Sequence, residues 1–487
     1  MHDLTPITYP RDGISVGIVH FGVGNFHRSH QAMYVDRLLR LGEARAWGIC
    51  GVGLMPFDAR VRDALRSQDL EYTLVERHPD GAVDATRIGS IIEYLYAPDE
   101  LDSVLERLAD PATRIVSLTI TEGGYNISDA TGKFDVTTPS IVADARPGAR
   151  PATVFGIIVA GLRLRRDRDV PPFTVMSCDN VEGNGTVARN SFMAFAAMVE
   201  PELATWIGEH VRFPNCMVDR ITPVTTDDDR RWVREQFGVD DAWPVVGESF
   251  VQWVLEDDFP AGRPPFELAG VQLVHDVRPY ELMKLRLLNA SHQAMAYFGL
   301  LKGLVYVNDA AVDPQLVELM TRYMDDEATP TLDPVPGVDL AAYKRELIER
   351  FANPYVRDTL ARLATDGADR IPKFLVPVAR RLRADGMPAP LSAAIVASWT
   401  RYAELAFADP AMPFTDRQRD AMVAAVARQQ ADPVGYLRNA DWFGDLADDA
   451  GFGEAFSTVY RALCERPDPS DTLSLLLEPV RITGGPG

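Results

Sequence analysis

Apolar residues in the first half of the chain form short runs, and segments with a helical spacing lie between these runs. The runs are rich in Val and Ile and end at Gly or polar residues, which is typical of buried strands. The predicted strands are ISVGIVHFG (14–22), AWGICGVGL (46–54), YTLVER (72–77), RIVSLTIT (114–121) and PFTVMSCDN (172–180). The alternation predicts an α/β fold in which helices cover both faces of a parallel sheet.

Beyond Pro279 the strand pattern gives way to amphipathic helices. The clearest predicted helices are DPQLVELMTRYMDDE (313–327), LAAYKRELIERF (340–351), AAIVASWTRYAELAF (393–407) and GEAFSTVYRALCER (453–466). We therefore expect two domains, residues 1–275 and residues 276–487, of which the second is mostly α-helical. An active site is expected in the cleft between them. The tail ITGGPG (482–487) is expected to be disordered.

One predicted helix, PYELMKLRLLNASHQAMAYFGLLK (279–302), contains the most informative polar residues. On an α-helix, Asn289 lies about 140° and His292 about 80° around the axis from Lys284, so the three share one broad face. A partly desolvated lysine can act as a base, and an amide can stabilise an alkoxide, as a carbonyl/alcohol redox site requires. The alternative interpretation is a surface lysine, a helix-bend asparagine and a core histidine.

A glycine turn follows the first predicted strand. Two glycines at a strand-to-helix turn let the backbone approach a pyrophosphate, which predicts a Rossmann-type dinucleotide site. A complete fingerprint would have a third glycine where this chain has His27, so a generic tight turn is the alternative. The residues predicted to bind the cofactor here are Gly22, Gly24, Asn25, Phe26, His27 and Arg28.

Three more residues at predicted strand ends are candidates for the cofactor site. Asp58 follows the second strand, where an acid would bind the adenosine ribose hydroxyls and repel the extra phosphate of NADP. Its alternative role is to cap the following helix. Thr121 and Glu122 end the fourth predicted strand and are expected to line the cofactor crevice, although Glu122 could be an ordinary turn residue.

Charge and cysteine usage exclude several functions. With 49 basic and 70 acidic residues the formal net charge is −21, which disfavours nucleic-acid and anionic-membrane binding. The four cysteines are scattered, which fits reduced thiols and argues against a structural zinc site. No secretion-signal pattern or membrane-length apolar run is visible, so we expect a cytoplasmic protein without a membrane partner.

Six segments of the chain, taken with these candidates, resemble the polyol-specific long-chain dehydrogenases. The matching segments are GVGNFHRSHQAMYVD (22–36), TITEGGYN (119–126), FTVMSCDNVEGNG (173–185), FPNCMVDRITP (213–223), DAWPVVGESFVQWVLED (241–257) and KLRLLNASHQAMAY (284–297). A looser match lies near DGADRIPK (366–373). The resemblance implies a monomer that uses NAD without a metal and interconverts D-mannitol and D-fructose.

The resemblance also implies a role for each site residue. Lys284 corresponds to the catalytic base, and Asn180 and Asn289 correspond to the two asparagines that bind the oxyanion. His292 corresponds to the histidine that orients substrate hydroxyls. The other positions implied to contact the substrate are Asp219, Arg362 and Arg370. Asp58 matches the acid that selects NAD.

Other readings of the sequence lead to different functions. Tyr280 and Lys284 have the spacing of the catalytic pair of short-chain dehydrogenases, but the chain length and the glycine turn disfavour that class. A second alternative is a non-catalytic, NAD-binding redox sensor. Within the family, the substrate could instead be D-arabinitol, D-sorbitol or a hexuronate.

Overall fold

The computed structural model describes residues 3–128 and 132–478. The chain forms two compact units, Met1–Arg278 and Pro279–Gly487, called here the N-terminal and C-terminal units. The tail 482–487, which was expected to be disordered, lies outside the described residues. No helix in the described ranges is both long enough and apolar enough to cross a membrane.

The N-terminal unit contains every strand of the described residues. The strands are β1 (Leu4–Thr5), β2 (Val16–Phe21), β3 (Gly48–Gly53), β4 (Tyr72–Arg77), β5 (Val83–Ile88), β6 (Ile91–Tyr96), β7 (Ile115–Leu118), β8 (Thr174–Ser177), β9 (Cys216–Asp219), β10 (Val245–Glu248), β11 (Gln252–Glu256) and β12 (Gln272–Val274). Its α-helices are α1 (Asn25–Ser29), α2 (Gln31–Leu41), α3 (Pro56–Arg66), α4 (Ala97–Ala109), α5 (Pro139–Asp144), α6 (Val154–Asp167), α7 (Asn184–Val199), α8 (Pro201–His210) and α9 (Asp227–Phe237). Short 3₁₀ helices span Glu122–Tyr125 and Phe266–Ala269.

Five strands form a fully parallel sheet in the order β6-β3-β2-β7-β8. From β2 the chain runs to β3 and β6 on one side, and it then crosses to β7 and β8 on the other side of β2, so the order reverses beside β2. In open α/β sheets, ligands bind outside the carboxyl ends of the strands at such a reversal. The turns after β2 and β7 are therefore the expected position for a cofactor.

Burial on both faces explains why these strands read as continuous apolar runs. In β2, Val19 and Phe21 pack into one apolar cluster with α4, α6 and α7, whereas Ile18 packs into a second cluster with α2 and α3. Successive strand residues point to opposite faces, and both faces are covered. The predicted α/β fold is thus confirmed.

One predicted strand pairs differently from the expected arrangement. YTLVER is β4, but it lies outside the parallel sheet and pairs antiparallel with β5 in the sheet β1-β5-β4-β10. A third sheet has the order β12-β11-β9. The residue pattern of a strand does not show which other strand it pairs with, so neither of these two sheets could be predicted from the sequence.

The described part of the C-terminal unit is helical, as predicted. Its α-helices are α10 (Arg278–Met283), α11 (Ala290–Leu301), α12 (Val307–Ala310), α13 (Pro314–Arg322), α14 (Leu340–Phe351), α15 (Leu360–Ala364), α16 (Gly367–Phe374), α17 (Val376–Ala384), α18 (Pro390–Ala408), α19 (Arg419–Gln429), α20 (Ala440–Phe443), α21 (Ala450–Glu465) and α22 (Pro469–Leu477). Two π-helical segments span Lys284–Asn289 and Tyr323–Ala328, and short 3₁₀ helices span Thr329–Thr331 and Leu446–Asp448. The predicted helix 279–302 is therefore not uniform, because a π-helical segment separates α10 from α11.

Candidate active site

The glycine turn after β2 contains Gly22 and Gly24, and these two residues have different structural roles. Gly22 has φ +92°, and a Cβ there would lie 2.1 Å from the carbonyl oxygen of Thr119, so the fold itself requires glycine. A Cβ at Gly24 would meet nothing nearer than the Gly22 oxygen at 4.0 Å. The protein therefore does not fill the space above Gly24. Open space over a glycine at this turn is what close approach of a pyrophosphate requires.

Asn25 and Arg28 fix the glycine turn to a distant loop. Asn25 Nδ2 donates to the Pro223 carbonyl oxygen (3.0 Å) and to Thr225 Oγ1 (2.9 Å). Arg28 is fully buried and donates to Asn25 Oδ1 (2.7 Å) and to the Trp243 carbonyl oxygen. Burial lowers the pKa of Arg28. Both side chains thus shape the turn, and their predicted contact with the cofactor stays a prediction.

His27 stands where a complete fingerprint has its third glycine. Its ring is 1% exposed and stacks on His20 with centroids 3.4 Å apart. Burial lowers the pKa of His27 well below its usual range, so the ring is neutral. Phe26 is partly exposed and stacks on His30 at 5.0 Å. The imidazole of His27 therefore packs beneath the turn, and cofactor contact by these two residues is untested.

Asp58 caps the helix that follows β3, as the alternative interpretation predicted. Its Oδ2 accepts from the backbone N–H groups of Leu54 and Met55, each at 2.8 Å. Among the described residues, no hydrogen bond reaches Oδ1. Capping thus occupies one carboxylate oxygen and leaves the other available, so the two roles considered for Asp58 are compatible.

Asp179 holds the turn after β7 and was missed in the sequence. It is 7% exposed, and its carboxylate accepts from the backbone N–H groups of Ile120 (3.1 Å) and Thr121 (2.8 Å). Burial raises the pKa of Asp179 to about 6. Thr121 and Glu122, predicted to line the crevice, are exposed beside it. The available signal was the acid next to Asn180 at the end of a predicted strand.

Asn180 and Asp219 end two strand regions of the N-terminal unit. Asn180 is exposed, three residues beyond the end of β8, whereas Asp219 is the last residue of β9 and only 4% exposed. The neighbouring Arg220 forms an ion pair with Glu76 at 2.5 Å. The contact of Asp219 with the substrate, which the resemblance implies, stays a prediction.

The π-helical segment of the C-terminal unit begins at Lys284 and ends at Asn289. Hydrogen bonds in a π-helix join residues five apart, so these two residues lie about one turn apart on the same side. A regular α-helix would separate them by about 140°. π-helical turns are frequent at functional sites. The segment thus brings Lys284 and Asn289 together more closely than the sequence predicted.

Both ends of this segment carry buried polar groups. Lys284 is 6% exposed. Asn289 Oδ1 is buried, and within residues 3–128 and 132–478 no hydrogen bond reaches it. Buried polar atoms are normally satisfied, so this oxygen marks a place where a polar ligand would find a partner.

His292 lies among arginines of the same unit. Burial lowers its pKa to about 3, and Arg362 and Arg370 contribute further. Its ring also contacts Phe351 with centroids 4.6 Å apart. Arg362 pairs with Asp358, and Arg370 donates to the Leu363 carbonyl oxygen at 2.9 Å. The structure thus groups three of the predicted residues, and the neutral imidazole can both donate and accept hydrogen bonds.

The described ranges contain no group of three or more His, Cys, Asp or Glu residues arranged to hold a metal ion. Of the four cysteines, Cys50, Cys178 and Cys216 are buried and Cys464 is exposed, all as free thiols.

Two protein families match consecutive parts of the chain. Residues 16–268 match the mannitol dehydrogenase Rossmann domain, and residues 276–464 match the mannitol dehydrogenase C-terminal domain. The mannitol 2-dehydrogenase of Phaeosphaeria nodorum is 47% identical over 406 residues, which are 82% of this chain and 71% of that protein. The mannitol 2-dehydrogenase of Aspergillus terreus is 42% identical over 466 residues, 94% of this chain and 92% of that protein.

Two solved structures are similar over nearly the whole chain. One is the Pseudomonas fluorescens mannitol 2-dehydrogenase in a ternary complex with NAD and D-mannitol, with a TM-score of 0.88, 43% identity and coverage of 98% of this chain and 97% of that one. The other is a substrate-free D-sorbitol dehydrogenase, with a TM-score of 0.87, 38% identity and 97% coverage of both chains. This chain belongs to the mannitol dehydrogenase family.

Proposed function

We propose that this protein oxidises D-mannitol at C2 to D-fructose, with NAD as the hydride acceptor, and catalyses the reverse reduction. It is an NAD-dependent polyol dehydrogenase by family. The observation that carries the proposal is the π-helical segment, in which the buried Lys284 and Asn289, whose Oδ1 is buried, lie on one side. The similarity to a mannitol 2-dehydrogenase solved with NAD and D-mannitol supports this substrate.

The N-terminal unit fits NAD at two points. The open space over Gly24 admits a pyrophosphate, and Asp58 Oδ1 can accept from ribose hydroxyls while Oδ2 caps α3. The negative charge of Asp58 would repel the extra phosphate of NADP. When bound, NAD supplies the nicotinamide ring that takes the hydride from C2 of the polyol.

Lys284 acts as the general base in this proposal. Lys284 is 6% exposed, and its uncharged amine is the form that accepts the proton of the C2 hydroxyl. As the hydride leaves C2, negative charge develops on the C2 oxygen. The side-chain amides of Asn180 and Asn289 donate hydrogen bonds to this oxygen and stabilise it.

Positioning of the polyol chain falls to the remaining residues. The neutral His292 can bind one hydroxyl as a donor and another as an acceptor. Asp219 accepts from a hydroxyl, and Arg362 and Arg370 donate to the distal ones. These contacts orient C2 for hydride transfer, and such positioning of the reacting atoms increases the rate.

The decisive experiment follows NADH absorbance with purified protein and D-fructose, beside D-xylulose and D-fructuronate as alternative substrates. We expect rapid NADH oxidation with D-fructose. Lys284→Ala should lower turnover by about 10²–10⁴-fold because general base catalysis contributes that much. Lys284→Ala should still bind NADH, which separates loss of the base from loss of fold. NADH binding by the wild-type protein without turnover of any of these substrates would instead support a redox sensor.

A second substrate is favoured by the similarity to D-sorbitol dehydrogenase. D-Mannitol and D-sorbitol differ in configuration at C2, and both give D-fructose when oxidised there. Chromatography of the polyol formed from D-fructose and NADH separates them. D-Mannitol as product supports the proposal, whereas D-sorbitol keeps the mechanism and replaces the substrate.

A further inference from the structure

We propose that Asp179 is a positioning residue that holds the turn after β7 in the shape that the cofactor requires. The proposal rests on the proposed NAD-dependent function and names a residue of the same site. Asp179 acts through the backbone of Ile120 and Thr121 and through the position of Asn180.

The backbone of Thr121 has a conformation that side chains rarely adopt. Its φ is +66° and its ψ is 166°. This region is populated almost only by glycine, and other residues remain there only where the surroundings hold them. Such residues cluster at binding and catalytic sites. The turn after β7 is therefore held by something outside itself.

Asp179 supplies that restraint. Its Oδ1 accepts from the Thr121 N–H at 2.8 Å, and its Oδ2 accepts from the Ile120 N–H at 3.1 Å. Oδ2 also accepts from Tyr125 Oη at 2.7 Å, and Tyr125 contacts Ser177 Oγ at 2.5 Å. The N–H group of the strained residue Thr121 and that of Ile120 before it thus point at one buried carboxylate.

The location of this contact connects it to the cofactor site. Asp179 lies just beyond β8, which pairs with β7, and β7 in turn pairs with β2. The turns after β7 and β2 touch, because Thr119 Oγ1 donates to the Gly22 carbonyl oxygen at 2.6 Å. Asp179 therefore joins the ends of two strands beside the glycine turn, and the next residue is Asn180. The Asp179 carboxylate therefore fixes the turn after β7, and it also fixes the chain just before Asn180, the proposed oxyanion donor.

A carboxylate suits this position better than an amide does. Both N–H groups require an acceptor, and aspartate offers an oxygen to each, whereas asparagine would turn its NH₂ group toward one of them. With its pKa raised to about 6 by burial, Asp179 is ionised at neutral pH, where both oxygens accept. Replacing the aspartate with asparagine should therefore release the turn.

The test is a double-mutant cycle read as NADH affinity by fluorescence titration. In the wild-type background, Asp179→Asn should weaken NADH binding by about tenfold, because hydrogen bonds to a charged group are lost. Glycine adopts the Thr121 conformation without strain, so Asp179→Asn should cost less than about threefold in a Thr121→Gly background. Equal losses in both backgrounds would overturn the proposal, as would unchanged affinity in Asp179→Asn.

Asp110→Asn is the matched control. Asp110 also accepts from a backbone N–H, that of Ala112 at 2.9 Å, but it precedes β7 and so lies at the opposite end of the strand. We expect its NADH affinity to be that of the wild type, and an equal loss in this variant would count against a specific role for Asp179.

If Asp179→Asn unfolds, Tyr125→Phe replaces it in the same cycle. This variant removes one donor to Asp179 and should weaken NADH binding by about threefold, with a smaller effect in the Thr121→Gly background. Unchanged affinity in Tyr125→Phe would then reject the proposal. Failure of the proposed function is a different result, because it is read as the absence of D-fructose-dependent NADH oxidation by the wild-type protein, whereas this cycle is read as NADH affinity.

Discussion

At the residue scale, the two glycines of the glycine turn are required for different reasons: Gly22 by the fold and Gly24 by the proposed binding of NADH. Gly24→Ala adds a Cβ that meets no protein atom within contact distance, but this Cβ occupies the space that the pyrophosphate would take. We expect the variant to fold normally and to bind NADH at least about tenfold more weakly. Isothermal titration with NADH, together with thermal unfolding, checks both parts.

Gly22→Ala is the contrasting variant at the same turn. Its Cβ would lie 2.1 Å from a backbone oxygen, and φ +92° strains any residue with a side chain. This variant should lose stability whether or not NADH is present. If Gly24→Ala kept full NADH affinity, the cofactor would not lie over this turn.

Because the two carboxylate oxygens of Asp58 have different roles, a substitution there can change the preference for NADH over NADPH without destabilising α3. Two unit charges 4 Å apart interact by about 4 kcal/mol at an effective dielectric constant of 20, so losing even a third of that repulsion shifts NADP preference about tenfold. Asp58→Asn removes the charge but keeps an oxygen for the N–H groups of Leu54 and Met55. We expect a higher kcat/KM ratio of NADPH to NADH with little loss of stability.

Asp58→Ala provides the comparison for that experiment. It removes the charge and the cap together, so it should also relax cofactor choice but lose about 1 kcal/mol of stability. An unaltered NADPH to NADH ratio in both variants would show that Asp58 is only a helix cap.

Sequence reasoning proposes site residues from side-chain types and spacing within one segment, but it does not predict a contact between distant segments. Lys284, Asn289 and His292 stand close together in one helix-like pattern, yet their spacing leaves a structural interpretation open, and their catalytic roles stay predictions from the family resemblance. Asp179 binds backbone N–H groups 58 and 59 residues earlier in the chain. Neither the strand pairing that brings them together nor the φ of Thr121 can be seen in residue types.

At the element scale, the helical segment around Lys284 shows what the spacing of apolar residues cannot predict. The apolar pattern predicts a helix over residues 279–302, and these residues are helical in the structure. One π-helical turn changes the hydrogen-bond step from four residues to five, a difference that such a pattern does not resolve over six residues. The relation between Lys284 and Asn289 therefore needed the structure.

The second π-helical segment, Tyr323–Ala328, predicts a pH-dependent stability. Its Glu327 is 2% exposed and accepts from the N–H groups of Leu391 (2.6 Å) and Ser392 (2.8 Å) at the start of α18. Burial raises the pKa of Glu327 to about 7. A raised folded-state pKa gives stability that is full below the unfolded pKa, near 4.3, and is lost as the pH rises through about 7.

We therefore expect the free energy of unfolding to fall between pH 5 and pH 8 by up to about 3 kcal/mol through this group. Glu327→Gln stays neutral and should lose that part of the slope. Urea unfolding of both proteins across this range measures the difference, with Glu318→Gln on the exposed side of α13 as control. Parallel slopes for wild type and Glu327→Gln would show that Glu327 does not titrate in this range.

At the scale of the whole molecule, the change from alternating strands and helices to helices alone predicts two domains, and the chain forms two compact units, Met1–Arg278 and Pro279–Gly487. Composition and pattern determine this organisation because each unit buries its own apolar residues. The pairing of β4 with β5 was not predictable in the same way, since strand partners depend on contacts between distant segments.

The proposed cofactor site lies in one unit, and its position predicts how NADH affects the stability of that unit. The glycine turn, Asp58 and the turn held by Asp179 all belong to the N-terminal unit. Since NADH binds only the folded protein, a concentration 100 times the Kd should add about 2.7 kcal/mol to the free energy of unfolding of that unit. Calorimetry with increasing NADH should show this stabilisation for the wild type, and D-mannitol alone should not produce it. Gly24→Ala should lose the shift at the same NADH concentration, because it keeps the fold and loses the ligand. A shift of equal size in Gly24→Ala would place the cofactor elsewhere on the molecule.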